Sequence, residues 1–308
     1  MGAESVTERQ RVQLSVTGSK APWSAAFTAM ASPCVVLADC DSKELATQIG
    51  EVAAREVARI EQCFSRYRDD NVVYRINNAA GRSVPIDGET QRLLAYAAEC
   101  YELSGGLFDI TSGVLRKVWN FDGGERVPNR DELSRVMANV GWSKVKLGRD
   151  TVQMPAGMEL DFGGFGKEYA ADRALQLIRE MSDCPVLVNL GGDLVASGAR
   201  RGGAAWQIGV ERPGNEEQAS LIIELRGGAL ATSGDSRRYV LHAGQRLSHV
   251  LDPTSGWPVE SAPQSVTVAA PRCTEAGLLA TLALLQGGNA ESFLRDQAVP
   301  HWVLRSAS

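Results

Sequence analysis

The sequence predicts one compact α+β domain, and three observations lead to this fold class. The chain has 308 residues, of which 44% are hydrophobic, so it is able to bury a sizeable core. Apolar residues recur at helical spacing in the first half, whereas short β-rich runs broken by glycine pairs dominate residues 185–270. No linker, fixed-period repeat or charge block divides the sequence. We therefore expect two closely packed halves with mixed or antiparallel sheets and flanking helices.

The first half is expected to begin with a tail and to continue with helices. Residues 1–22 are polar and lack a sustained period, so we predict a disordered tail before an ordered domain over 23–308. After a strand at 34–37, apolar residues recur every three or four positions, which predicts an amphipathic helix over 42–65. Further helices are predicted over 88–104 and 129–140, and short strands at 144–147, 152–154 and 158–161.

The second half is predicted to contain a helix that follows a glycine turn, and then short strands. The sequence after Gly164 has a helical apolar face. Glycine pairs at 191–192, 202–203 and 227–228 are expected to form turns between antiparallel strands. Strands are predicted at 185–190, 194–196, 206–210, 221–225, 266–269 and 301–304, and helices over 274–286 and 290–297.

Charge and cysteine content exclude several function classes. Lys and Arg total 32 against 37 Asp and Glu, a net charge of −5, so there is no basic excess to neutralise nucleic-acid phosphates. The N-terminal residues do not show a signal-peptide pattern, and no stretch is long and apolar enough to span a bilayer. We expect a cytoplasmic protein without membrane insertion. The 6 cysteines are scattered and the chain has only 3 histidines, which argues against a zinc site.

A glycine-rich segment, DFGGFGK at 161–167, is the first candidate site. A strand, a glycine turn and a helix together present free backbone N–H groups to a phosphate. The segment is not a Walker A loop, because Glu168 follows the lysine where that motif has Ser or Thr. Its glycine spacing also differs from that of a dinucleotide-binding fingerprint. From these residues alone, a phosphate site and a tight structural turn are both compatible with the segment.

Three further motifs carry polar groups at turns. NLGGD at 189–193 closes a predicted strand, and TSGD at 232–235 is followed by Arg238 and Tyr239. HVLDPTSG at 249–256 places a histidine before an Asp-Pro turn. Each motif by itself is compatible with ordinary turn chemistry, and the elbow and lysine motifs of serine hydrolases do not occur in the sequence.

In sequence and in order, FDIT at 108–111 and the four motifs above resemble the motif series of the ApbE flavin transferases. The segments FSRY at 64–67 and RIN at 75–77 are similar to the early part of that family. The resemblance covers about residues 25 to 305 and implies an ApbE-type α+β fold. It also implies FAD:protein FMN transferase activity, in which a Thr or Ser hydroxyl of an acceptor protein takes FMN from FAD and AMP is released, with Mg²⁺ as the metal.

The resemblance assigns candidate site residues by position. His249 matches the family's proton acceptor, and Thr281 together with the carbonyl of Gly164 matches its metal ligands. The positions that match contacts to the flavin nucleotide are Met30, Tyr67, Phe108, Asp109, Ile110, Asp161, Lys167 and Val250.

The sequence departs from the family pattern at the metal helix. The family has Asp-x-x-x-Thr, which puts a carboxylate and a hydroxyl one turn apart on one helical face, but Gly277 stands where the aspartate is expected. Other departures are Met30-Ala-Ser in place of Met-Gly-Thr, and Glu168 where glycine commonly follows the lysine. Losing an anionic ligand weakens Mg²⁺ binding, so we expect that an aspartate introduced at 277 strengthens it without a loss of stability.

Three hypotheses follow from this departure. The first is a working transferase that recruits its metal with Glu275, Asp109 or Asp235. The second is an FAD-binding protein without transferase turnover, and the third is a Mg²⁺-dependent FAD pyrophosphatase. Three observations distinguish them. Labelling of an acceptor protein with FMN identifies the first, bound flavin without release of AMP the second, and release of AMP without an acceptor the third.

Overall fold

The protein is a mixed α+β domain whose centre is one large antiparallel sheet. The structure, a computed structural model, describes residues 13–212, 215–234, 239–242 and 245–305. The first strands are β1 (Ser15–Thr17), β2 (Trp23–Ala29), β3 (Ser32–Ala38), β4 (Val84–Pro85), β5 (Lys146–Leu147), β6 (Thr151–Gln153), β7 (Val186–Leu190) and β8 (Asp193–Ala196). The remaining strands are β9 (Trp206–Arg212), β10 (Asn215–Leu225), β11 (Gly228–Gly234), β12 (Tyr239–His242), β13 (Gln245–Ser248), β14 (Ser265–Ala270) and β15 (His301–Leu304).

Helices cover the large sheet, whose strand order is β1-β2-β3-β7-β8-β11-β14-β15. The helices are α1 (Lys43–Phe64), α2 (Val72–Asn77), α3 (Gly88–Leu103), α4 (Arg130–Met137), α5 (Gly166–Met181), α6 (Cys273–Leu285) and α7 (Ala290–Asp296). α1 contacts β2 and β3, α5 contacts β7 and β8, and α6 contacts β11 and β14. A second apolar cluster joins Leu187 and Leu194 of the sheet to Trp206 of β9, so the β9–β10 hairpin packs against other strand residues.

Helix α1 begins and ends within one residue of the predicted bounds, because the sequence supplies both a cap and an apolar face. The Ser42 side chain accepts a hydrogen bond from the backbone N–H of Leu45, 3.1 Å away, which satisfies one of the free donors at the helix start. Ile49, Val57 and Ile60 on one face are buried in the core. The predicted amphipathic helix is therefore confirmed.

Helix α6 begins beneath α5, and α5 supplies its cap. The carboxylate of Asp172 on α5 accepts hydrogen bonds from the backbone N–H groups of Cys273 and Thr274, at 2.8 and 3.0 Å, and from the Thr274 hydroxyl at 2.9 Å. α6 itself is apolar on all sides, as expected of a helix that packs between a sheet, α5 and α7. The cap therefore fixes the register of α6 against α5.

The predicted strand at 158–161 is wrong. The apolar residues Met158 and Leu160 are buried as the pattern suggested, but their segment does not join a sheet. Instead, the Asn77 side chain bonds both the N–H and the C=O of Leu160, at 2.8 and 3.1 Å. The side-chain amide of Asn77 thus provides the hydrogen bonds that a partner strand would otherwise provide. The pattern of one sequence does not show that a distant side chain binds this backbone.

Two other expectations need correction. The glycines at 191–192 do form the turn between the paired strands β7 and β8, but those at 202–203 and 227–228 separate strands of different sheets. The ordered chain also starts earlier than residue 23, because β1 pairs with β2 and lies at the edge of the large sheet. Residues 1–12 lie outside the described part of the chain. Within the described part, no helix is long and apolar enough to cross a membrane.

We predict that Asp172→Ala lowers the free energy of unfolding by about 2 kcal/mol, because it leaves two part-buried backbone N–H groups of α6 without their acceptor. Urea unfolding followed by circular dichroism measures the change. Glu180→Ala is the control. It removes an exposed carboxylate near the end of α5, the helix that carries Asp172, and should alter the free energy of unfolding by less than about 0.5 kcal/mol. Equal effects of the two substitutions would contradict the capping role.

Candidate active site

The glycine-rich turn lies against the FDIT segment. The backbone N–H of Asp161 donates to the carbonyl of Ile110 at 2.9 Å, and the Asp161 carboxylate accepts from the N–H of Gly163 at 2.9 Å. A Cβ atom at Gly113 would lie 2.5 Å from the Cβ of Asp161, so only glycine permits this approach. Arg66 forms an ion pair with Asp161 at 3.0 Å. Two motifs that are about fifty residues apart therefore form one wall.

Aromatic and apolar side chains border this wall. Phe108 and Ile110 are buried, and a Cβ atom at Gly164 would lie only 3.2 Å from the Phe108 ring. Tyr67 is 78% exposed, and the Arg66 guanidinium lies over its ring, 4.8 Å from the centroid. An exposed aromatic ring held in place beside a buried apolar wall suits a planar heterocyclic ligand.

Asp109 has a structural task. One oxygen of its buried carboxylate accepts from the backbone N–H of Thr111 at 2.8 Å and from the Thr111 hydroxyl at 2.6 Å. The other oxygen accepts from the backbone N–H of Trp142 at 2.9 Å. Because both oxygens are engaged within the fold, Asp109 is a poor candidate for a recruited metal ligand. Its assignment as a nucleotide contact stays a prediction.

Lys167 stands in the first turn of α5, next to the turn between β7 and β8. Its ammonium nitrogen Nζ lies 3.2 Å from a carboxylate oxygen of Asp193. Burial favours the neutral amine, but the carboxylates of Asp193 and Glu168 outweigh it and raise the pKa of Lys167. A Cβ atom at Gly191 would lie 3.7 Å from this nitrogen. Lysine and the free N–H groups at the helix start together suit a phosphate group.

Met30 lies close to the same turn. It is the first of two residues with positive φ in the hairpin between β2 and β3, with φ of 50° at Met30 and 54° at Ala31. A Cβ atom at Gly191 would lie 2.8 Å from the Cβ of Ser32, the residue that follows this hairpin turn. The end of the β2–β3 hairpin turn and Lys167 therefore both approach Gly191, and the assignment of Met30 as a nucleotide contact stays a prediction.

Glu168 lies against Gly277 of α6. A Cβ atom at Gly277 would lie 2.5 Å from Oε1 of Glu168, 2.7 Å from its Cγ and 2.9 Å from its Cδ. The Glu168 side chain is buried, and its Oε2 has no hydrogen-bond partner. Burial, together with the negative charge of Asp193, raises the pKa of Glu168 to about 8. The carboxylate therefore occupies the space into which a side chain at 277 would project.

This contact overturns the expectation that an aspartate at 277 would be accommodated without cost. The sequence shows only a helical glycine, whose replacement ordinarily favours a helix. In the fold, the added Cβ would meet Glu168 at distances well below van der Waals contact. Glu168 has to move before any side chain fits at 277.

The other groups proposed around the metal are placed as follows. Thr281 lies one turn after Gly277 on α6, and its hydroxyl is 3.0 Å from that of Ser233 on β11. Glu275 is exposed, and Asp235 and Arg238 lie outside the described residues. Among the described residues, no cluster of three or more His, Cys, Asp or Glu side chains is arranged to hold a metal ion. The assignment of Thr281 and the carbonyl of Gly164 as metal ligands therefore stays a prediction.

The histidine segment also contacts α6. Val250 packs against the apolar cluster that β14 and α6 form. The His249 ring meets Phe121 edge-on at a centroid distance of 6.3 Å, and Phe121 stacks on Trp119 at 5.4 Å. The Trp119 indole N–H donates to the carbonyl of Gly256 at 2.8 Å, which ties the loop after His249 to these rings. An aromatic support thus positions the histidine.

The sequence analysis did not assign a site role to three charged residues that the structure places at these positions: Glu168, Asp193 and Arg66. Arg66 and Asp193 lie inside quoted motifs, but which charges pair across the fold is not encoded in local spacing. For Glu168 a signal existed in the sequence. A glutamate replaces glycine at 168 while a glycine replaces aspartate at 277, and two departures that complement each other in volume and charge indicate contact.

Comparison with known proteins finds relatives that are named FAD:protein FMN transferase. The FAD:protein FMN transferase of Treponema pallidum (strain Nichols) is 33% identical over 247 residues, which cover 74% of this chain and 68% of that protein. The FAD:protein FMN transferase of Vibrio cholerae serotype O1 is 30% identical over 254 residues, which cover 80% of this chain and 75% of that protein.

Solved structures share the fold over nearly the whole chain. The crystal structure of the ApbE protein from Thermotoga maritima matches with a TM-score of 0.82 at 29% identity, covering 94% of each chain. The apo form of Pseudomonas stutzeri flavinyl transferase ApbE matches with a TM-score of 0.78 at 27% identity, covering 98% of this chain and 94% of that one. The model of the ApbE family matches residues 28–301. Because this match extends from β2 to β15 and the similar structures follow the same fold, the chain belongs to the ApbE family.

Proposed function

We propose that the chain is an FAD:protein FMN transferase, which moves FMN from FAD to a Thr or Ser hydroxyl of an acceptor protein and releases AMP. The observation that carries the proposal is the glycine turn at the start of α5, which carries Lys167 and free N–H groups. This turn contacts Phe108 at Gly164, and its Asp161 pairs with the Arg66 that lies over the exposed ring of Tyr67. The names of the relatives in Treponema pallidum and Vibrio cholerae state the same activity.

Binding of FAD is divided between apolar and charged groups. Phe108 and Ile110 supply an apolar wall, and Tyr67 offers an exposed ring for the flavin or adenine. Lys167 and the N–H groups at the start of α5 face the pyrophosphate. Asp161, held by Arg66, lies at the turn between these two regions.

The reaction exchanges one phosphorus–oxygen bond for another. The acceptor hydroxyl oxygen forms a bond to the FMN-side phosphorus, and the bond from that phosphorus to the bridging oxygen breaks, so that AMP leaves with the bridging oxygen. The imidazole of His249 takes the proton of the hydroxyl. Its aromatic support from Phe121 and Trp119 fixes the ring orientation that this transfer needs.

The family implies a Mg²⁺ ion, and the oxygen atoms of this region fit a hard cation. The hydroxyl of Thr281 and the carbonyl of Gly164 would hold it, and the unpartnered buried oxygen of Glu168 indicates that a positive charge is accommodated there. When bound, Mg²⁺ offsets the negative charge that develops on phosphate oxygens. Location in the cytoplasm and the absence of a nucleic-acid partner stay predictions from the sequence.

Mass spectrometry of the purified chain with FAD, Mg²⁺ and a threonine-containing acceptor peptide tests the activity. A peptide that gains the mass of FMN less one water, with AMP released in equal amount, supports the proposal. AMP release without a labelled peptide would identify a pyrophosphatase instead. Bound FAD with neither product would identify a binding protein.

Tyr67→Ala is expected to weaken FAD binding by about tenfold, because it removes an exposed stacking surface without opening the core. Titration of the intrinsic FAD fluorescence measures the dissociation constant. Tyr74→Ala removes another exposed tyrosine, 43% accessible and outside the proposed site, and should leave the constant unchanged. A similar constant for the parent and Tyr67→Ala would remove Tyr67 from the binding surface.

His249→Ala should lower the turnover of FMN transfer by about a hundredfold or more while leaving FAD affinity nearly unchanged, because a proton acceptor acts only in the chemical step. Single-turnover kinetics and FAD titration separate the two effects. His242→Ala, an exposed histidine of β12, is the matched control and should retain parental turnover. Unaltered turnover in His249→Ala would exclude histidine as the base.

A further inference from the structure

We infer that Glu168, on α5, supplies the metal-binding carboxylate that the ApbE family pattern places at position 277 on α6. The inference rests on the proposed function, since it concerns the ion that serves that reaction. It assigns to this chain a ligand from a different helix, adjacent in sequence to Lys167.

Position is the first argument. The Oε1 atom of Glu168 lies 2.5 Å from where the Cβ of a residue at 277 would be, so the carboxylate fills the space that an aspartate side chain there would take. Residues one turn apart on a helix have Cβ atoms about 5–6 Å from each other. The Glu168 carboxylate is therefore beside the turn of α6 that precedes Thr281, on the face that carries the hydroxyl.

Unused hydrogen-bonding capacity is the second argument. Glu168 is only 7% exposed, and its Oε2 has no hydrogen-bond partner. A buried carboxylate oxygen without a partner carries a large desolvation cost. The Thr281 hydroxyl bonds Ser233 at 3.0 Å, and a hydroxyl with one such bond keeps a lone pair for a cation. Two oxygen donors are thus available along one turn of α6, at positions 277 and 281.

Charge is the third argument. Of the acidic side chains around α5, Asp193 is paired with Lys167 at 3.2 Å, and the carboxylate of Asp172 is occupied by the α6 cap. Glu168 remains as the carboxyl whose Oε2 has no hydrogen-bond partner, and in its ionised form it would bring one negative charge to a bound cation. Oxygen donors with one net negative charge suit Mg²⁺, which keeps waters and substrate phosphates as its other ligands.

The rival carboxylates do not share these features. Glu275 is exposed, and its position two residues before Gly277 puts it on a different side of α6. The carboxylate of Asp109 is occupied by Thr111 and Trp142. Among the described carboxylates proposed as ligands, Glu168 is the one in contact with the metal helix at 277.

The first test measures metal binding directly. Electron paramagnetic resonance of free Mn²⁺ gives the dissociation constant of the full chain for Mn²⁺, alone and with saturating FAD. Glu168→Gln keeps the shape of the side chain and removes its charge, and is expected to weaken Mn²⁺ binding by about tenfold or more. Glu275→Gln, the matched control on α6, should leave the constant unchanged. Equal affinity in the parent and Glu168→Gln, or loss in Glu275→Gln only, overturns the inference.

A rescue experiment excludes a merely structural role. Gly277→Asp alone should lower the melting temperature, because its Cβ meets Glu168. The exchange Glu168→Ala with Gly277→Asp removes this conflict and moves the carboxylate to α6, so Mn²⁺ affinity should return to within about threefold of the parent. Failure of the well-folded exchange variant to bind Mn²⁺ overturns the inference.

Crystals of the unaltered chain soaked in Mn²⁺ decide the question without a substitution. An anomalous peak beside the Glu168 carboxylate and the Thr281 hydroxyl is expected, and a peak elsewhere, or none, overturns the inference. FMN transfer is scored separately. If the parent transfers FMN but Glu168→Gln binds Mn²⁺ as tightly as the parent, the proposed function stands and Glu168 is not the ligand. If Glu168→Gln loses Mn²⁺ affinity but the parent transfers no FMN, Glu168 is the ligand and the proposed function is wrong.

Discussion

The packing of α5 against α6 is the constraint on which the rest of the site depends. Asp172 of α5 caps α6 at two backbone N–H groups, and Glu168, one turn earlier on α5, fills the space above Gly277. The first contact fixes where α6 begins, and the second fixes which face of α6 meets α5. The same helix α5 carries the glycine turn and Lys167 at its start, so one packing arrangement positions both the groups proposed to bind phosphate and those proposed to bind the metal.

Burial of charge explains the arrangement around Lys167. Asp193 and Glu168 would both be costly in the core alone, and a single lysine is able to neutralise only one of them. The geometry assigns Lys167 to Asp193 and leaves Glu168 with a raised pKa, caused first by burial and next by Asp193. With a pKa of about 8, Glu168 is mostly protonated at neutral pH in the free protein, and a cation that binds its carboxylate would displace that proton.

Much of the fold was predictable because its elements obey local rules. α1 has a serine cap and an apolar face, and its predicted bounds differ from the observed ones by one residue at each end. The failures have non-local causes: Leu160 is held by the Asn77 side chain rather than by a strand, and β1 is an edge strand too short and polar to show a period. Within the site, motif order located the glycine turn and the FDIT segment, but the contact between positions 168 and 277 joins residues more than a hundred apart.

Placing a ligand on α5 instead of α6 has a consequence for how the site moves. With an aspartate at 277, the carboxylate and the Thr281 hydroxyl would belong to one rigid helix, and the lysine to another. With Glu168 as the proposed ligand, the carboxylate is adjacent in sequence to Lys167, so any shift at the start of α5 would move the charges proposed to bind phosphate and metal together relative to α6. Glutamate also has one more rotatable bond than aspartate, but its contact with Gly277 limits that freedom. Glycine at 277 is therefore the complement of Glu168, and the two positions are best understood as one unit that spans both helices.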